Sequence, residues 1–332
     1  MNLNKILCFL AVFTFISISL NAQKLEYGLK FDGIADNREF FSVHNDAETI
    51  MGSRVALTLG STIDSIHQFR GGLSYFYEFG SQFGEISPTL ILYYQVEKNN
   101  WGFLMGAYPR KENVIFPHAM ISEKYEYYNP TVDGLLVKYT NRYSQLNLFA
   151  DWVSRQDSLR REQFMAGFFG KLKFNGFLVE EYFYLFHNAG RIVREPGVNM
   201  EDTMGACFLF GYDFSSHVPL SILTVKTGVL TSAFRNRGNG LDFHINTSSY
   251  SEIVVDYKGF GVEAFMKFGN QHHFSHGDNF YNSAKNYVRT RFYFTPIRFK
   301  QVEGRFMWSL HFTPGKMDNQ QQFSLVYYLN QY

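Results

Sequence analysis

Polar and apolar residues alternate with period two through most of the chain. Leu25, Tyr27, Leu29 and Phe31 interleave with Glu26, Gly28, Lys30 and Asp32, so one face is apolar and the other carries charge. Val55, Leu57 and Leu59 do the same against Arg54, Ala56 and Thr58. Leu73, Tyr75, Tyr77 and Phe79 alternate with Gly72, Ser74, Phe76 and Glu78, and Leu90, Leu92, Tyr94 and Val96 with Thr89, Ile91, Tyr93 and Gln95. Such alternation predicts strands with one greasy and one polar face. About sixteen segments of roughly ten to fourteen residues follow it, the length a tilted strand needs to cross a bilayer and its rims. After Tyr139 they begin near Gln145, Gln163, Gly176, Thr203, Ser221, Ser251, Gly261, Tyr287, Gly304 and Gln322. After residue 22 no apolar run reaches the roughly eighteen residues that a spanning helix requires.

The connections alternate in length. Short turns are expected around Ser65, Lys98, Arg142, Asn175, His217, Lys258 and Gln301. Long loops are expected at residues 34–51, 109–131, 190–202, 235–250 and 269–286, with moderate ones near Gln82, Asp157 and Lys316. Short turns at one end and long loops at the other are the mark of a closed membrane barrel. A soluble β-sandwich also alternates apolar and polar residues. It would have to bury faces as aromatic as Phe164, Phe168 and Phe174, or Phe306, Trp308, Leu310 and Phe312, whereas a bilayer accepts them directly.

Composition agrees with strands: aromatics make up 18% of the 332 residues, and mean hydropathy is −0.20. Net charge is +1 with no block of like charges, which gives no support to nucleic-acid binding. Residues 1–22 read as an export signal, with Lys5 before an apolar stretch from Ile6 to Leu20 and cleavage expected after Ala22. Residues 23–332 then form one barrel domain. Once the signal and its Cys8 are removed, Cys207 stands alone, so no internal disulfide is available.

The last segment carries Phe323, Leu325, Tyr327 and Leu329 on one face and ends on Tyr332, which falls on the opposite parity. It resembles the terminal strand of bacterial outer-membrane barrels, and the signal ending Asn21-Ala22-Gln23 resembles those of the Bacteroidota. The whole mature chain is similar to porin-like barrels of that group. The resemblance implies an all-β, closed antiparallel barrel of about sixteen strands in the outer membrane of a Gram-negative bacterium. It also implies contact with outer-membrane lipid and lipopolysaccharide, reading of the C-terminal strand by the barrel-insertion machinery, and a homotrimer, although lipid-facing and subunit-facing strands look alike here. The expected function is a passive channel for small polar solutes, with no cofactor. The alternative is a structural or surface-interaction barrel with a loop-blocked lumen. Gated transporters with an N-terminal plug inside about 22 strands are set aside, because the first strand is expected to begin within a few residues of the cleavage site.

With apolar faces toward lipid, the lumen is lined by Lys30, Asp32, Arg54, Arg70, Glu78, Lys138, Asp151, Lys171, Lys173, Lys226, Glu263, Lys267, Arg289, Arg291 and Arg305. The basic excess points to a weak anion preference. Between the strands starting at Trp101 and ending at Tyr139 lies a loop that carries Val114, Ile115, Phe116, Met120, Ile121, Tyr125, Tyr127 and Tyr128. A loop that long and apolar needs a surface to pack on. In the sixteen-stranded porins the chain resembles, the loop after the fifth strand enters the barrel and narrows the pore. On that analogy Tyr108, Arg110, Glu112, Glu123 and Lys124 form a constriction, with Arg110 inward or, alternatively, at the rim beside Glu112.

The run from Gln271 to Asp278 holds three histidines and an aspartate at metal-ligand spacing. In a loop rich in Gly, Asn and Ser it reads instead as solvent-exposed surface, and no metal is expected. An enzyme is not expected either. His311 beside Ser309, and His187 before Asn188, offer catalytic residue types without a fixed nucleophile.

Overall fold

A computed structural model describes residues 23–193 and 197–331. The export signal and Tyr332 lie outside the described residues. Sixteen strands run in chain order: β1 (Gln23–Glu39), β2 (Glu48–Ile63), β3 (His67–Glu78), β4 (Thr89–Lys98), β5 (Trp101–Pro109), β6 (Thr131–Thr140), β7 (Ser144–Ser154) and β8 (Gln163–Phe174) form the first half. Then follow β9 (Phe177–Asn188), β10 (Glu201–Asp213), β11 (Ile222–Asn236), β12 (His244–Tyr257), β13 (Phe260–Gly269), β14 (Asn286–Arg298), β15 (Val302–Thr313) and β16 (Lys316–Gln331). Each strand pairs antiparallel with its neighbours, and β1 closes on β16, with Phe31 opposite Tyr327, so no edge is left open.

The period-two pattern sorts side chains as the sequence implies. Leu57, Leu73, Leu92, Met105, Phe208 and Phe306 point outward and are exposed. A continuous apolar exterior on a closed sheet is the surface that a bilayer accepts. Several loops are shorter than expected because strands continue past the apolar belt. The loop expected at residues 34–51 is confined to 40–47, that expected at 235–250 to 237–243, and the one near Lys316 is a turn at Pro314-Gly315.

The core lies inside the barrel. A wall of sixteen strands leaves an aqueous lumen, but here residues 110–130 and 270–285 fold into it. Each carries a short helix, α1 (Glu123–Tyr128) and α2 (Asn279–Ser283). Val114, Phe116, Met120 and Ile121 from the first loop, and Phe274, Phe280 and Tyr281 from the second, share a buried cluster with the wall residues Leu104, Leu136, Phe149, Phe169, Tyr184 and Leu209. Phe116 is central, with the rings of Phe149, Phe169, Tyr182 and Tyr184 at 5.5–5.9 Å.

Candidate functional site

The first inserted loop is fastened where it leaves the wall. The Arg110 N–H donates to Pro130 O at 2.8 Å, and Asn113 and Val114 N–H donate back to Arg110 O, so the chain turns inward at once. The Arg110 guanidinium bonds Asn129 O, Thr131 O and the Asp151 carboxylate, the last at 2.6 Å. Further along, Ser122 caps α1 by accepting from the Tyr125 N–H. The cap directs Glu123 into the lumen, where Arg291 reaches its Oε1 at 2.5 Å and Gln322 its Oε2 at 2.8 Å.

Most of the lumen charges engage these loops. Lys30 bonds Glu112 at 2.5 Å and lies 3.5 Å from Asp32. Arg54 donates to Tyr127 O, Lys138 to Asn113 Oδ1, and Tyr128 to Glu78. Lys267 holds Tyr281 O and Ala284 O in the second loop. Arg289 and Arg291 face Glu123, and Glu263 lies 3.7 Å from Arg291. Others bridge wall to wall: Arg70 to Glu26, Lys171 and Lys226 to Glu180, Lys173 to Asp213, and Arg305 to Glu303.

The constriction expected of Tyr108, Arg110, Glu112, Glu123 and Lys124 is not an open ring. Tyr108 is 0% and Arg110 2% exposed, both sealed beneath the loop. Arg110 pairs with Asp151 instead of Glu112, because the turn at its carbonyl sends Glu112 across to Lys30. Lys124 pairs with Glu48 near the long-loop end. Of the apolar loop residues, Val114 and Phe116 are buried on the inner wall, whereas Ile115 is 58% exposed.

A cavity of about 610 Å³ remains between α1 and the walls of β1, β2, β15 and β16. His118, Glu123 and Glu126 look into it from the loop, and Lys30, Asp32, Arg54, Arg291 and Arg305 from the wall. His118 Nε2 lies 3.3 Å from Glu123 Oε1, while its Nδ1 is buried and has no partner. Burial, opposed by Glu123 but aided by Arg289, Arg291 and Lys111, pushes His118 down to about 3. Burial alone would raise the Glu123 carboxyl; Arg291, with His118 and Arg289, pulls it well below the usual carboxylate range instead. A neutral imidazole held by a fixed carboxylate, with its second nitrogen unpartnered, is the residue pairing of a general base, and the burial that keeps it neutral also makes it a weaker one. A second, smaller cavity of about 240 Å³ lies on the other side of α1 and also touches Glu123.

The second loop, expected at the surface, is instead folded inward. His272 bonds Ser232 at 3.0 Å and Ser248 at 2.7 Å on the wall, and His276 stacks on Tyr125 at 4.1 Å. The two loops meet through Ser122 N–H to His276 O and Asp278 N–H to His118 O. Among the described residues no three His, Cys, Asp or Glu side chains are grouped to hold a metal ion. The catalytic types noted in sequence serve other partners: His311 bonds Tyr287 and Gln320, Ser309 accepts from Arg291, and His187 pairs with Asp202. The His118–Glu123 pair is barely marked in the sequence. Its only signal was two such residues five apart in a loop bound for the lumen.

The architecture is that of a porin-type membrane barrel. A loop-deletion mutant of OmpT, an outer membrane protein of Vibrio cholerae, matches with TM-score 0.56 at 11% identity, over 93% of this chain and 100% of that one. OpdO of Pseudomonas aeruginosa matches with TM-score 0.54 at 10% identity, over 93% and 98%. A mutant Rh. blastica porin matches with TM-score 0.50 at 14% identity, over 92% and 100%. Among curated proteins none matches the sequence. The model of the family described as Lipid A 3'-O-deacylase-type matches residues 19–331, and the chain belongs to that family. This membership overturns the expectation of a barrel that is not an enzyme: the family is named for an enzyme activity, and that activity had no place in a reading of wall residues alone.

Proposed function

We propose that the protein is an outer-membrane hydrolase that removes an ester-linked acyl chain from a lipid, with His118 as general base. The observation that carries this reading is the His118–Glu123 pair, set at 3.3 Å in the larger lumen cavity of a chain belonging to a deacylase-type family. With Nε2–H directed at Glu123, Nδ1, buried but without a partner, takes a proton from a water that substrate entry admits beside it. The hydroxide adds to the ester carbonyl, the tetrahedral intermediate expels the alkoxide, and the imidazolium returns the proton to it. Glu123 orients the ring and stabilises its charge, as Arg291 and Gln322 fix Glu123 in turn.

The test is fatty-acid release from an ester-acylated glycolipid in detergent, followed by mass spectrometry with refolded protein. His118→Asn and Glu123→Gln should each lower the rate by about 100-fold or more, while the barrel keeps its heat-modifiable gel migration. No release by the folded wild type would overturn the reading.

A second reading, diffusion of small polar solutes, is favoured by the charged lining of the cavity toward the short-turn end, where Lys30, Asp32, Glu303 and Arg305 lie. Stepwise conductance across a planar bilayer supports it, and a silent, folded barrel refutes it.

A further inference from the structure

One buried cation lining the larger cavity has no counter-ion in contact among the described residues. The carboxylates lining it are mostly engaged: Asp32 and Glu112 by Lys30, Glu123 by Arg291, and Glu303 by Arg305. Arg54 is only 9% exposed, yet no carboxylate lies within ion-pair distance among the described residues. Its guanidinium donates to Tyr127 O at the end of α1 and lies 5.0 Å above the Phe76 ring, and its Nε is buried without a partner. Arg305, three strands away around the same cavity, also has an unpartnered Nε. A buried cation is costly unless an anion compensates it, and a carbonyl and a ring supply only part of that.

We propose that Arg54 is the anion-binding residue of this cavity, and that its ligand is a phosphate group. A guanidinium offers a planar fork of donors matched to such an oxyanion. The phosphate can be free or part of a larger ligand; a volume of about 610 Å³ leaves room for the latter. The site shares its cavity with the hydrolase reading but none of its chemistry, so either can fail alone.

The experiment is calorimetric titration of the folded barrel in phosphate-free buffer with inorganic phosphate and, separately, with dihexanoyl phosphatidic acid. Wild type should bind, and Arg54→Gln should bind about 10- to 100-fold more weakly. Arg54→Lys, which keeps charge without the fork, should fall between. His118→Asn should bind as wild type does, whatever its effect on ester hydrolysis. Tighter binding of the phosphatidic acid assigns the site to a lipid headgroup, and equal binding assigns it to free phosphate. No binding of either probe by folded wild type, or equal binding by wild type and Arg54→Gln, overturns the proposal.

Discussion

At the scale of single residues, Arg110 shows how far alternation carries. Parity along β5 turns position 110 inward, and the side chain does point there. Its partner could not be read, because Asp151 lies on β7 and meets Arg110 only once the loop has turned under it. The geometry changes what a substitution should do. Arg110→Ala leaves Asp151, itself 2% exposed, without its cation and removes two bonds to backbone carbonyls. A cost of about 3–5 kcal/mol in urea unfolding of the detergent-solubilised barrel is expected. The double variant Arg110→Ala, Asp151→Ala should lose less than the two single losses combined, because it leaves no unpaired charge. Additive losses would show that the pair is not coupled. His118 and Glu123 were illegible for a related reason: parity assigns faces only to strands, and their meeting depends on the cap at Ser122 that winds α1.

At the scale of elements, the two inserted loops differ in how plainly they announce themselves. The β5–β6 loop does so by its apolar content, since Val114, Phe116, Met120 and Ile121 need a surface. The β13–β14 loop reads as solvated because its histidines and serines are polar, yet His272 finds Ser232 and Ser248, and Lys267 caps the carbonyls of α2. Phe116→Ala, which empties the centre of four rings, should cost about 3–5 kcal/mol. Acid should loosen the second loop. Burial, with Lys267, holds His272 down to about 3, and burial, with Arg110, holds His276 to about 4. Their folded values lie below the ordinary 6.5, so their contribution to stability is full above 6.5 and is lost as pH falls toward 3–4. Glu126 runs the other way: burial raises it to about 7, so its contribution is present below 4.5 and is lost as pH rises through 7. The amide protection factors of residues 270–285 should fall between pH 6.5 and 4 while those of the strand ladder hold. Unchanged loop protection down to pH 4 would refute this.

At the scale of the whole molecule, the wall and its filling are separable. Strand number, orientation and closure follow from a period-two pattern that repeats whatever the lumen holds, which is why the barrel was legible while its plug was only half so. The wall is continuous beneath the first loop, because β5 and β6 remain paired up to Pro109 opposite Thr131. Replacing residues 111–129 with a two-residue turn should therefore leave the sixteen strands closed. Arg291 would lose Glu123, Lys30 would lose Glu112 and Lys138 would lose Asn113, but each would then face water, which solvates a charge at little cost. The second loop alone cannot fill the space, since Phe116 and Met120 are what join it to Phe149, Phe169 and Tyr184. The shortened barrel should migrate as a folded, heat-modifiable species and show a stepwise conductance well above that of the intact chain. It should release no fatty acid, because His118 and Glu123 leave with the loop. A conductance equal to that of the intact protein would mean that the loop does not block the lumen. Retained hydrolysis would move the chemistry to the wall.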